Sequence, residues 1–357
     1  MAAAAGGTGA RIVVVGATGN VGTGVVAALG KDPDVASIVG VARRRPDWAP
    51  PKTQWRTADV ADADLVPLFR GADVVIHLAW LFQPTRRPVT TWRTNVVGGT
   101  RVFEAVARAG VPALVCASSV GAYSPGPKDR AVDESWPTDG WPTASYTREK
   151  AYLERVLDAF EARNPAIRVV RLRPGFTFKR ESASQQGRLF AGPLLPSRLV
   201  RPGVVPVVPD LPGLRFQVVH NADVAEAYRL AALRQVGGAF NIAADPVVDA
   251  RLLAEVLAAR PVRLPVAPLR AMLALAWHLR LAPASPHLFD AVLRLPIMDT
   301  ARARSELGWV PRHTAREAIE ELLSGLREGA GMATAPLAPR LVGGRAREIL
   351  TGVGTRP

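Results

Sequence analysis

The stretch "VVVGATGNVGTG", residues 13–24, joins a run of β-branched residues to small and apolar residues of helical type. Gly16, Gly19 and Gly22 recur in it every third residue, a G-x-x-G-x-x-G spacing that departs from the simple G-x-G-x-x-G pattern. Glycines let a backbone come close to an anion, and the first turn of a helix presents free N–H groups. A tight turn with close strand–helix packing would use the same residues. Position decides between the two. Where such a loop directly follows the first strand of an alternating α/β chain, it reads as a pyrophosphate cradle. Gly16, Thr18, Gly19, Asn20, Val21 and Gly22 are its candidate residues.

The rest of the first half supports that alternation. Strand-length apolar runs occur at 11–16, 37–42, 54–60, 72–79, 112–119 and 167–174, separated by helix-period stretches such as 23–30 and 94–110. Continuously apolar strands between helices predict a parallel sheet covered on both faces, an α/β doubly wound fold of the Rossmann type. After Pro174 the pattern loosens. A helix at 221–235 and a strand at 239–243 return to the core layer. The expected organisation is a dinucleotide-binding domain over 11–175, rejoined by 214–243, with a smaller substrate lobe from 176–213 and 244–330. Residues 1–10 and 331–357 read as loose tails.

Composition narrows the partners. The formal net charge is +14, but apart from "RRR" at 43–45 the basic residues are dispersed, without aromatic interleaving, so nucleic acid is not the expected partner. A single cysteine excludes a disulfide framework, and five scattered histidines give no metal-ligand spacing. The default setting is cytoplasmic. The opening residues lack the basic region of a secretory signal. The most apolar late stretch, 266–282, is interrupted by Arg270, His278 and Arg280 and is shorter than a membrane span; it predicts a buried or interfacial helix.

About twenty residues past the glycines, the end of the second strand should carry an acidic residue for an adenine ribose. Ala42 stands there instead, followed by Arg43, Arg44 and Arg45. Guanidinium groups at that place suit a 2′-phosphate, which favours NADP over NAD.

The second constellation centres on "SYTREK", residues 145–150. The chain has four tyrosines and only five lysines among its 45 cationic residues. Tyr146 and Lys150, four apart, share one helix face. A free phenol titrates near 10, and a nearby ammonium would stabilise its phenolate. Upstream, "CASSVGAY" follows the fifth strand, where such sheets open their ligand crevice. Ser118 and Ser119 are both candidates there for hydrogen bonding a substrate oxygen.

In these motifs, and in "TADVAD" (57–62), "RLRPG", "FQVVHNADVAEA" and "LGWVP" (307–311), the chain resembles the extended short-chain dehydrogenases/reductases of the NAD-dependent epimerase/dehydratase group, over about residues 11–325. The resemblance implies a catalytic set of Ser119, Tyr146 and Lys150, with Lys150 also holding the nicotinamide ribose. It implies cofactor contacts from Asp59 and Val60 at the adenine, from Leu78, Ala79 and Trp80 past the fourth strand, and from Pro174 over the nicotinamide. Asn95 opens the following helix as a structural or cofactor-side contact. A homodimer through helices 94–110 and 145–163 is a further implication.

Departures bear on the chemistry. Val120 and Gly121 follow Ser119 where the sugar-nucleotide dehydratases carry Asp-Glu, so a dehydratase's acid and base are missing. The leading expectation is an NADP- or NAD-dependent oxidoreductase acting on a small-molecule carbonyl or secondary alcohol. A nucleotide-sugar epimerase with tightly bound NAD is the alternative, and a non-catalytic NADP-binding regulator a third.

Overall fold

The computed structural model describes residues 9–83, 86–191 and 202–339. Seven parallel strands form the central sheet: β1 (Ala10–Val15), β2 (Val35–Ala42), β3 (Thr53–Thr57), β4 (Val74–His77), β5 (Ala113–Ala117), β6 (Arg168–Pro174) and, returning late, Gly238–Ile242. Their spatial order is β3-β2-β1-β4-β5-β6 and then Gly238–Ile242, so the winding reverses between β1 and β4. Such a reversal opens a crevice at the carboxyl ends of the strands.

Both faces of the sheet are buried, which is why the strands read as unbroken apolar runs. Along β1, Ile12 and Val14 pack with Val25, Leu29 and Tyr228 from helices Asn20–Lys31 and Asn221–Leu233. Val13 and Val15 point the other way, into Phe103, Leu153 and Leu157 of helices Gly98–Arg108 and Ser145–Arg163. The helix Asn221–Leu233 and the strand Gly238–Ile242 rejoin this layer, whereas Arg215–His220 does not. A second sheet, built on Arg215–His220 with Phe176–Phe178 parallel and Ala244–Asp249 antiparallel to it, carries the smaller lobe.

The helix Ser145–Arg163 is fastened by a buried ion cluster. Glu154, eight residues on from Tyr146 on the same face, accepts from Arg173 Nε at 2.9 Å and Nη2 at 3.1 Å, from Arg171 Nη1 at 3.0 Å, and from the Ser118 hydroxyl. Burial alone would raise the Glu154 carboxyl, but these partners outweigh it and hold it at about 2.

One expectation about the chain's end is corrected. Residues 331–339 are not loose: Leu337 is fully buried, Thr334 Oγ1 donates to the Thr18 carbonyl at 2.9 Å, and Arg188 donates to the carbonyls of Pro336 and Ala338. Leu337 supplies apolar anchorage that periodicity does not reveal. The expected tails over 1–8 and 340–357, and the "PLLPSRLV" segment at 193–200, lie outside the described residues.

Breaking a buried pair leaves uncompensated charge, typically at a cost of about 3–5 kcal/mol. Glu154→Gln is expected to lower the unfolding free energy by roughly that amount, measured by urea denaturation at neutral pH. Because the folded-state carboxyl lies below its unfolded value, its contribution is present above the ordinary carboxylate range and is lost as pH falls toward about 2.

Candidate active site

The carboxyl ends of the strands surround one cleft of about 1250 Å³. The glycine loop enters it after β1, Arg43 and Arg44 after β2, Asp59 and Val60 after β3, and Leu78, Ala79 and Trp80 after β4. Ser118 and Ser119 line it after β5, and Pro174 at the end of β6. Tyr146 and Lys150 project into it from their helix.

The loop is shaped for a close backbone approach. Gly16 has φ +85°, and a Cβ there would sit 2.5 Å from the Ala79 amide nitrogen. A Cβ at Gly22 would collide with the Gly16 carbonyl oxygen. Gly19 stands at the N-cap of helix Asn20–Lys31 with no side chain filling the cap. Open N–H groups, a helix start and absent side chains fit an anion such as a pyrophosphate. Asn20 steadies the loop by donating to the Thr177 carbonyl at 3.0 Å, and Asn221 donates to the Asn20 carbonyl at 2.9 Å. Asp59 lines the cleft while also accepting from the Ala61 amide at 3.0 Å, so the capping and lining roles coexist. Arg43 and Arg44 are exposed and have no protein partner among the described residues.

At the other end, the Tyr146 hydroxyl donates to Ser119 Oγ at 2.9 Å, and Ser119 Oγ also accepts from the Gly121 amide at 3.0 Å. That amide bond orients the serine as the cap of a short 3-10 turn, Val120–Ala122. Ser118, the other candidate, is turned away: its hydroxyl is committed to Glu154. Lys150 Nζ donates to the Ala117 carbonyl at 2.7 Å and lies 3.6 Å from the centre of the Trp80 ring. Burial lowers Lys150 to about 8, against raising influences from Cys116, Glu154 and Glu149. For Tyr146, burial pushes the phenol up and the Ser119 bond offsets only part of this. The chain's own groups therefore do not bring the phenol down; Lys150 is occupied with a carbonyl and an indole.

Residues 12–243 match the NAD dependent epimerase/dehydratase family. The chain belongs to that family. An uncharacterised protein of Mycobacterium tuberculosis is 24% identical over 324 residues, 88% of this chain and 83% of the relative. The L-arabinose 1-dehydrogenase (NAD(P)(+)) of Haloferax volcanii is 38% identical over 111 residues, 31% of this chain and 41% of its own. The fold is shared with the UDP-glucose 4-epimerase of Thermus thermophilus in complex with NAD, at 21% identity and TM-score 0.66, covering 89% of this chain and 99% of that one.

One expected cofactor contact of this epimerase/dehydratase-family chain is corrected. Asn95 is fully buried and does not line the cleft. It sits in a widened helical turn, Arg93–Val97, accepts from the Leu81 amide at 2.7 Å, and donates to the Leu81 carbonyl at 2.8 Å and Glu149 Oε2 at 2.7 Å. It pins the segment after Trp80 to the Tyr146 helix, so its role is positional. His220 and Asp223 likewise brace the structure. Asp223 accepts from the amides of Arg312 and His313 at 3.0 Å each, and from its own side the His313 ring lies 3.0 Å away. His220, Asp223 and His313 cluster closely enough to suggest a cation, yet His220 Nδ1 accepts the Ala222 amide and its Nε2 faces Glu321. The donors are consumed by the fold.

Several lining residues escaped the sequence reading. Phe82 packs on Tyr146 with ring centres 5.0 Å apart, and Phe190 packs on Phe82 at 5.1 Å. No periodicity marks them, because they come from irregular segments. Lys179 is also buried, donating to Thr23 Oγ1 at 2.7 Å beneath the glycine loop. The rarity of lysine that singled out Lys150 applies to it equally.

With Lys150 at about 8, its ammonium fraction falls as pH rises through that value. Dinucleotide affinity, followed by fluorescence titration from about pH 6 to 10, is expected to weaken on the alkaline side, and Lys150→Met is expected to abolish that limb.

Proposed function

We propose that this chain is an NADP(H)-linked oxidoreductase that interconverts an apolar ketone or aldehyde and its alcohol. The observation that carries this reading is the Tyr146–Ser119 hydrogen bond, with Lys150 one turn on, at the far end of a cleft that begins in the glycine loop. A nicotinamide dinucleotide bound along that cleft supplies or accepts the hydride at the substrate carbon. Ser119 holds the substrate oxygen by hydrogen bonding. Tyr146 donates its hydroxyl proton to that oxygen in reduction and takes it back in oxidation. Lys150, one turn from Tyr146, would hold the nicotinamide ribose. Leu78, Ala79 and Pro174 border the cofactor, and Val60 and Asp59 its adenine.

The preference for NADP rests on Arg43 and Arg44, whose exposed guanidinium groups line the cleft where a ribose-binding carboxylate would otherwise stand. The preference for an apolar substrate rests on the wall of the reaction chamber, where Trp80 and Phe82 flank Tyr146 and Phe176, Phe190 and Leu295 continue the lining. Arg188, which also lines the chamber, spends its guanidinium on the Pro336 and Ala338 carbonyls.

A second reading is supported by the structural relatives, whose bound ligands include UDP-glucose together with NAD. In a nucleotide-sugar epimerase the same three side chains would oxidise and re-reduce one carbon around a retained NAD.

Tyr146→Phe is expected to keep dinucleotide affinity and to lose roughly 10²–10⁴-fold in turnover with a carbonyl panel, the usual worth of a positioned proton donor; unchanged turnover would overturn the catalytic assignment. Replacing Arg43 and Arg44 together by Ala is expected to weaken NADPH roughly tenfold or more while leaving NADH nearly unchanged, by calorimetric titration. Co-purified NAD and a melting temperature raised by UDP-sugars would instead select the epimerase reading.

A further inference from the structure

The helix Val266–His278 has no buried residue. One side of it is nevertheless engaged: Leu273 lines the cleft, and Arg270 pairs with Asp290 through both carboxylate oxygens at 2.8–3.0 Å. The opposite side carries Pro268, Met272, Leu275 and Leu279, spaced as one helical stripe. Met272 is 64% exposed, Leu275 61% and Leu279 59%, and Leu281 beyond the helix is exposed too. A helix resting on a protein in water should turn charged or polar residues outward. This one turns out Met272 and Leu275, with Leu279 just beyond its end.

Arginines gather at the C-terminal end of the helix. Arg86 caps the end of the helix, donating to the Trp277 carbonyl with its guanidinium 4.3 Å from the centre of the Trp277 ring. Burial and the neighbouring charge of Arg280 both push Arg86 below its ordinary value, which places two cations side by side. Arg87 and Arg280 are exposed and have no carboxylate partner among the described residues. Next to Arg87 in the chain, Val89 is 80% exposed and adds to the apolar surface. The chain as a whole carries a net charge of +14.

We propose that this face docks reversibly on an anionic phospholipid bilayer, with Met272, Leu275 and Leu279 entering the headgroup–acyl boundary and Arg87 and Arg280 meeting lipid phosphates. Exposed apolar residues beside arginine are the arrangement that holds a helix in the plane of such a surface. No helix among the described residues is long and apolar enough to cross a membrane. Leu273 connects the docked side to the cleft across one helix diameter, about 10 Å. Docking is measurable without turnover, so it stands or falls apart from the oxidoreductase reading.

The test is co-sedimentation of the purified full chain with vesicles of phosphatidylcholine alone and of phosphatidylcholine mixed with phosphatidylglycerol. Association is expected with the mixed vesicles only, weakening as salt is raised. Leu275→Glu with Leu279→Glu is expected to cut the bound fraction roughly tenfold or more, and Arg87→Ala with Arg280→Ala to weaken it roughly tenfold, with dinucleotide affinity retained as the check on folding. No association with the mixed vesicles, or association indifferent to the leucine substitutions, would overturn the proposal. So would a dimer, seen by light scattering, that the leucine substitutions split into monomers, because the stripe would then belong to a second copy of the chain.

Discussion

A single buried carboxylate holds the reaction centre together. Glu154 binds Arg171 and Arg173 of β6 and the Ser118 hydroxyl after β5, and it sits two helical steps from Tyr146 on one face. Anchoring that face fixes the rotation of the helix and, with it, where Tyr146 and Lys150 point. The same bond to Ser118 turns the first serine of "CASSVGAY" away and leaves the second toward Tyr146. Ion pairs removed from water contribute little net energy but impose one geometry, since any other arrangement strands a charge. Arg173 extends the constraint, its Nη1 reaching the Tyr123 hydroxyl at 2.9 Å, which in turn donates to Asn241 at 2.6 Å. Two sheet strands, the loop carrying Ser119 and the helix carrying Tyr146 are thus tied through neighbouring polar groups.

A second tie works from the other side. Asn95 and Glu149 clamp the segment carrying Leu81, and so set Trp80 and Phe82 against Tyr146. The cleft between these clamps changes character along its length. Its glycine-loop end offers backbone N–H groups and arginine. Its catalytic end is aromatic, with Lys150 held under an indole and Tyr146 pushed above its ordinary value by burial. Low polarity strengthens each interaction made there with a developing charge.

Legibility in the sequence followed locality. The glycine loop, the strands and the Tyr146–Lys150 spacing depend on neighbours within a few residues, and all could be read along the chain. Ser119 and Ser118 could not be separated that way, because the choice is made by Glu154, 36 residues from Ser118. Whether Asn95 is structural or cofactor-side could not be read either, because its partners Leu81 and Glu149 are 14 and 54 residues away. The packing of 331–339 on the glycine loop spans 316 residues between Thr334 and Thr18, and carries no periodic signal.

The sequence by itself determined the fold class and the order of the motifs, because these rest on hydrophobic period and on glycines at a strand–helix turn; the family came from the resemblance that the ordered motifs carry. Tertiary structure decided which hydroxyl faces the phenol, what surrounds Lys150, and that the apolar helix 266–278 leaves a stripe exposed. Those outcomes depend on side chains brought together from distant segments, and on charges whose burial is tolerable only when their partners arrive. A pattern in one dimension records which residues want to be inside; only the folded chain records what they meet there.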